Sequence, residues 1–170
     1  MASEITEVWL SGPVAGVPLL LVPIAHALLQ ARADVRRLVA DVDSQSLWER
    51  PGNAASVGFH VLHLTGSLDR LFTYARDEAL TPAQREALAL ERRAEGTGLD
   101  AATLVRMVDE AVDTALAQLR HTEESTLIEP RRIGKAQLPT TVLGLLFHAA
   151  EHCTRHAGQI ATTLKLLQAK

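Results

Sequence analysis

The segment Leu143–Ile160 reads L-G-L-L-F-H-A-A-E-H-C-T-R-H-A-G-Q-I and carries three histidines at a spacing of four, His148, His152 and His156. In an α-helix a step of four residues turns only about 40° beyond a full circle, so the three rings share one stripe. Apolar residues recur in the same segment at helical spacing. The segment therefore predicts an amphipathic helix with histidines along its buried edge.

A second predicted helix, around Val57–Glu78, carries His60 and His63. A single histidine on an apolar face is more often a hydrogen-bonded core residue than a ligand. Five of the seven histidines fall in these two windows, however, and several buried imidazoles would each need partners for their ring nitrogens. One shared metal ion would satisfy several rings at once, so the two windows together predict a metal site.

The two windows, Gly58–Leu64 and His148–Ile160, together resemble the DinB superfamily of metal-binding four-helix bundles. That family has one ligand histidine on its second helix and an H-x-x-x-H pair on its fourth, followed by Gly-Gln. The resemblance implies that His63 is the first ligand and that His152 and His156 are the pair. It extends over nearly the whole chain in the order of the helices.

The remaining histidines of the two windows are expected outside the coordination sphere. His60 and His63 lie about 60° apart around their helix, so only one of them can face the centre directly. The resemblance selects His63, and His60 is then expected to line the pocket or contact a ligand. His148 is also expected to bind no metal.

A competing interpretation uses His148, Glu151 and His152, which fit the H-x-x-E-H pattern of inverted zinc peptidases. Glu151 would then be a general base, but His63 and His156 would be left without a role. Cys153 adjoins a predicted ligand, yet one residue is about 100° around a helix, so it is expected to be a packing residue.

Three neutral imidazoles leave a divalent ion its full charge and free coordination positions, which is typical of a site that binds a thiolate or activates water. The histidine ligand set permits zinc, nickel, iron or manganese. Characterised relatives in the DinB superfamily include thiol S-transferases and a thiol-dependent isomerase. The resemblance thus implies a transferase that acts with a low-molecular-weight thiol such as bacillithiol or mycothiol. A metal-dependent hydrolase and a non-enzymatic, stress-related metal-binding protein are the alternatives.

The connection before the last predicted helix, Glu123–Leu138, contains Arg131, Arg132 and Lys135. Its simplest interpretation is a solvated loop. Its functional interpretation is a rim of the metal pocket that offers cations to the acidic groups of a thiol cofactor or substrate.

The whole chain is predicted to be one all-α domain of residues 1–170, an up-down four-helix bundle with a short crossover helix, no substantial sheet and an N-terminal arm over residues 1–17. The charged residues Asp69, Arg70 and Glu91 are expected to face solvent. Helical periodicity, caps and chain breakers place the elements at Ile24 to about Asp43, Ser56 to about Asp77, Leu80–Arg93, a helix capped by Asp100, and a last helix starting at Pro139-Thr140, with Trp48–Asn53 as a loop.

Composition suggests the partners and the compartment. The formal net charge is −3, which argues against a nucleic-acid partner, where a basic surface would be expected. The apolar stretch Val14–Leu29 contains two prolines and is short for a membrane span, so no membrane contact is expected. One cysteine is consistent with the reducing cytoplasm. The expected partners are a small-molecule substrate or thiol and a second copy of the chain, in a homodimer whose contact includes Trp9.

Overall fold

The computed structural model describes residues 7–91 and 98–169, and four long helices dominate it. The predicted all-α bundle with a crossover helix is confirmed. The elements are α1 Val22–Val39, α2 Ser44–Trp48, α3 Val57–Ala75, α4 Pro82–Glu91, α5 Ala101–His121, β1 Pro130–Ile133, β2 Leu138–Thr141 and α6 Val142–Gln168, with four short 3-10 turns between or before them.

The bundle core lies between α1, α3, α5 and α6. Helices α1 and α3 each pack against both α5 and α6. Each long helix turns an apolar stripe inward, because leucine, valine and isoleucine recur at three- and four-residue steps. The fully buried side chains include Leu28, Leu64, Leu104, Leu146 and Ile160.

Helices α3 and α5 run in the same direction, because the crossover helix α4 carries the chain back between them. Near the end of both helices, Gln118 Nε2 donates to the carbonyl of Phe72 at 3.0 Å. Near the start of both, Trp48 Nε1 donates to the carbonyl of Leu99 at 3.2 Å. The Trp48 ring also covers Gly58, where a Cβ would lie 2.5 Å from the nearest ring atom, so only glycine allows this close approach.

The sequence suggested that the connection Glu123–Leu138 is a loop. The structure shows that it includes the first strand of a small hairpin. Strands β1 and β2 pair antiparallel, with Ile133 opposite Leu138. The predicted helix start at Pro139-Thr140 is also wrong, since both residues belong to β2. Helix α6 begins at Val142, and its cap is Thr141, whose hydroxyl accepts from the Gly144 amide at 3.0 Å.

Other helix ends follow their caps. Ser56 and Asp100 cap α3 and α5 as predicted, with side chains that accept from the amides of Phe59 and Thr103. Helix α1 starts and ends earlier than expected, at Val22 and Val39. Trp48, predicted to lie in a loop, ends the short helix α2.

The part of the N-terminal arm within the described residues lies against α1 and α5. The Val8 amide donates to Gln30 Oε1 at 3.2 Å, and His26 Nε2 hydrogen-bonds the carbonyl of Gly12 at 2.8 Å. The first six residues of the predicted arm, and residues 92 and 93 of the predicted crossover helix, lie outside the described residues. Among the described helices, none has the length and apolarity that crossing a membrane requires.

Candidate metal centre

Packing of α3 against α6 brings the three predicted ligands together. His63 lies on α3, and His152 and His156 lie one turn apart on α6. One ring nitrogen from each lies within 4.8 Å of those from the other two. The ring centroids of His152 and His156 are 4.5 Å apart, and that of His63 lies 5.1 Å from His152 and 4.8 Å from His156. This group of three could hold a metal ion.

Two of the three rings are held by hydrogen bonds from Nδ1 to α3 or α4. His63 Nδ1 lies 2.9 Å from Glu91 Oε2. His152 Nδ1 lies 3.1 Å from the hydroxyl oxygen of Ser67, and that hydroxyl donates to the carbonyl of Leu64 at 3.1 Å. Because the Ser67 proton is directed to Leu64, the serine oxygen is left to accept from the histidine. Both contacts therefore favour rings protonated at Nδ1.

The third ring is held by another histidine. His156 Nδ1 lies 3.0 Å from Nδ1 of His60, so one of these nitrogens donates and the other accepts. If His156 donates, all three clustered rings carry their proton on Nδ1, and the lone pair of each Nε2 is free. Acceptors that fix the outer ring nitrogen of a histidine ligand are a regular feature of metal sites. The donor set therefore fits a divalent ion bound through three Nε2 atoms.

Burial favours the neutral form of His152, His156 and His60. Burial and, to a lesser degree, the neighbouring histidines and Arg155 lower the pKa of His152 to about 4 and that of His156 to about 3. Burial also lowers the pKa of His60, and His63 adds to the effect. A neutral imidazole has a free lone pair at pH 7, whereas a protonated ring cannot bind a metal.

Two charged residues expected to face solvent are buried beside His63. Only 6% of Glu91 and 8% of Arg70 is exposed, and Arg70 Nη1 donates to Glu91 Oε1 at 2.5 Å. Burial alone would raise the pKa of Glu91, but the hydrogen bonds from His63 and Arg70 outweigh it and lower that pKa. Arg70 follows His63 by seven residues, which is the same face of a helix, so periodicity could have identified it. Glu91 is on another helix, and no local pattern indicates it.

The residues of the competing peptidase pattern lie at the outer edge of the cluster. Nearly half of the His148 side chain, 47%, is exposed, and its Nδ1 lies 2.9 Å from Glu151 Oε1. Glu151 also pairs with Arg155, and its carboxylate is not in the group of three. Cys153 is buried, and burial raises the pKa of its thiol to about 12, in keeping with a packing residue.

The structure does not bring the three hairpin cations to the histidines. Arg131 Nε donates to the carbonyl of Ala75 at 2.9 Å, and Arg132 donates to a carbonyl within the hairpin, whose turn includes Lys135. Ala75 follows His63 by twelve residues of α3, which is about 18 Å along a helix. The hairpin therefore adjoins the end of α3 that lies away from the histidines.

Solved structures with the same fold include a conserved protein from Enterococcus faecalis, with a TM-score of 0.73 at 18% identity over 89% of this chain and 98% of that one. A protein assigned to the DinB family from Exiguobacterium sibiricum has a TM-score of 0.67 at 16% identity, over 89% and 94% of the two chains. At these identities the likeness concerns the fold.

A third structure corrects the expectation that a nucleic-acid partner is excluded. The colibactin self-resistance protein ClbS, solved in complex with double-stranded DNA, has a TM-score of 0.58 at 14% identity, over 82% of this chain and 91% of its own. A bundle of this fold can therefore bind DNA, and a net charge of −3 does not exclude it. Net charge averages over the whole surface, whereas DNA contacts a limited part of it.

Most of the sequence matches the model of a protein family. No curated protein matches the chain. The sequence profile of the DinB superfamily matches residues 27–160, which include all three clustered histidines and most of the bundle. The protein therefore belongs to the DinB superfamily.

Proposed function

We propose that this protein binds one divalent metal ion through His63, His152 and His156, and that it acts with the ion as a transferase on a low-molecular-weight thiol. The observation that supports the proposal is the shared orientation of the three rings. Each has its Nδ1 against a protein group, which leaves three Nε2 atoms for one ion when His156 donates to His60. Zinc, nickel, iron and manganese all accept such ligands.

The ligand set favours an anionic substrate group. Within the described residues the group contains neither cysteine nor carboxylate, so three neutral rings would leave the ion its full charge and at least one open position. A divalent ion there would supply the positive charge that stabilises a thiolate or acidifies bound water. The thiolate is preferred because of the resemblance to thiol-dependent relatives.

The protein groups around the cluster would orient the ligands and restrict water. Glu91, Ser67 and His60 hold the rings at Nδ1, so the Nε2 atoms on the other side would be the ones to bind an ion. The ring of Phe59 stacks on His63 with centroids 5.6 Å apart and planes 4° from parallel. The Phe59 ring shields one face of His63, so a substrate would approach from the more exposed edge of the cluster near His148.

Hydrolysis is the second candidate, because the His148–Glu151 pair resembles the histidine–carboxylate pair of a general base. The His148 ring centroid is 5.5 Å from that of His152, close enough for the pair to act on a water beside the cluster. A stress-related protein that only binds metal would catalyse neither reaction. The homodimer and the cytoplasmic location stay predictions from the sequence.

The test starts from protein that is purified without an affinity tag and stripped with a chelator. Zinc, nickel, iron, manganese and cobalt are titrated separately, and a thiol is then added to the cobalt form. We expect one ion per chain and a sulfur-to-cobalt charge-transfer band, with transfer to an electrophile following. Turnover that needs no thiol would favour hydrolysis, and absence of metal binding would refute the proposal. A DNA duplex belongs in the same ligand series, because ClbS is solved with one.

A further inference from the structure

The crossover helix α4 has an unusual anchor. Glu91, its last residue, is the only one of its ten residues that is buried. A surface helix normally docks through an apolar stripe, but here the buried contact is a carboxylate that meets His63 and Arg70. At the other end of the helix, Gln84 Nε2 donates to Thr73 Oγ1 at 2.7 Å. Polar contacts therefore contribute much of what holds α4 against α3.

The Glu91 carboxylate reaches His63 across Gly66. A Cβ on Gly66 would overlap Oε1 of Glu91 and would lie 2.7 Å from Nη1 of Arg70. The overlap involves a side chain that is fixed by two partners, so it cannot be relieved without breaking a contact. Glycine at position 66 is thus what allows a carboxylate from α4 to lie against α3 at this point.

We propose that Glu91 is a positioning residue for His63, and that through it the docking of α4 is coupled to occupancy of the metal site. The inference rests on the proposed metal binding. Glu91 does not contact the cluster centre itself; it fixes the rotation of the His63 ring and keeps the proton on Nδ1. Its partner Arg70 donates to the carboxylate through Nη1 and Nη2 and holds it in that place.

The coupling follows from the chemistry of the imidazole ring. An ion bound at Nε2 withdraws electrons from the ring, which makes the Nδ1 proton a stronger donor to Glu91. In return, the carboxylate makes Nε2 a better electron donor to the ion. Because coupling between two equilibria is reciprocal, an ion that is bound more tightly when α4 is docked also holds α4 more firmly.

Zinc affinity is measured by competition with a chelating dye in two pairs of variants. Glu91→Gln should weaken binding about 10- to 100-fold, as losses of such outer partners do, while Glu86→Gln, exposed on the same helix, should change it less than about 2-fold. Gly66→Ala should weaken binding similarly. Gly158→Ala, where a Cβ meets nothing within 4 Å, is its control. The double variant Glu91→Gln/Gly66→Ala should lose no more than the larger single loss, because both break one contact.

Hydrogen exchange separates positioning from a merely structural role. Zinc should slow exchange of the α4 backbone amides in the unmodified protein and should not do so in Glu91→Gln. If Glu91 only stabilised the fold, the variant would melt earlier without metal but would bind zinc normally, which would overturn this inference alone. Failure of the unmodified protein to bind any of the titrated metals would instead overturn the proposed function.

Discussion

The histidine cluster and the β1–β2 hairpin contribute the residues that the sequence assigned to one site, and they differ in how they are held. The cluster residues lie on two helices packed against each other, and every outer ring nitrogen has a partner. The hairpin arginines Arg131 and Arg132 bond mainly to nearby carbonyls, about 18 Å along α3 from His63. Convergence of side chains was predictable where helical spacing and the family resemblance selected the same residues. Adjacency in sequence to the ligand helix was a poor guide to adjacency in space.

The largest expected effect is removal of a clustered ring. His156→Ala should weaken metal binding more than about 100-fold, because it leaves only two ligands for the ion. Loss of a ligand should lower the affinity more than loss of a hydrogen-bond partner of a ligand does. His148→Ala, one helical turn before His152 but outside the group of three, should change affinity less than about 2-fold. Isothermal titration with zinc measures both.

The reverse pattern would restore the peptidase-like arrangement. If His148→Ala abolished binding and His156→Ala did not, the ligands would be His148 and His152, with Glu151 beside them. The metal site would then lie at the exposed outer edge of the cluster.

An intermediate effect is expected at Ser67, whose oxygen meets Nδ1 of His152. Ser67→Ala removes the group that fixes this ring, so zinc affinity should fall about 10-fold. Thr65→Val is the control, since it deletes a buried hydroxyl of α3 that, among the residues the structure describes, bonds only to the carbonyls of Val61 and Leu62. Equal losses in the two variants would mean that helix distortion, not orientation of His152, lowers the affinity.

These partners mark what the sequence could and could not predict. His63, His152 and His156 were identifiable because spacing and the family resemblance selected them, and Arg70 lies on the same face of α3 as His63. Glu91 was not identifiable, since a carboxylate among surface charges becomes buried only when the whole crossover helix docks. The hairpin was also missed, because strands of four residues have no extended pattern of alternation.

A smaller effect should appear when the metal-free protein is acidified. The pKa values of His152 and His156 lie near 4 and 3, below the usual value of 6.5. Between pH 6.5 and these lower values, the unfolded chain binds protons that the folded chain does not. The free energy of unfolding therefore falls as pH falls. Melting followed by circular dichroism should show a lower Tm at pH 5 than at pH 7, before most carboxylates titrate. His156→Gln should flatten this dependence, and a pH-independent Tm in the unmodified protein would contradict it.

The smallest effect is expected at the hairpin and tests whether the two regions share a ligand. Arg132 and Lys135 are exposed, so replacing both by alanine should disturb the fold little, whereas Arg131 bonds the end of α3 and is left in place. Zinc affinity and the affinity of the metal-loaded protein for a neutral thiol should change less than about 2-fold, because exposed charges about 18 Å away are screened at 0.15 M salt. Titration with an acidic thiol of similar size completes the comparison. A loss confined to the acidic thiol, reduced by salt, would show a ligand that extends from the histidines to the hairpin and would unite the two regions in one site. Equal affinities in the variant and the unmodified protein would leave the hairpin independent of the metal centre.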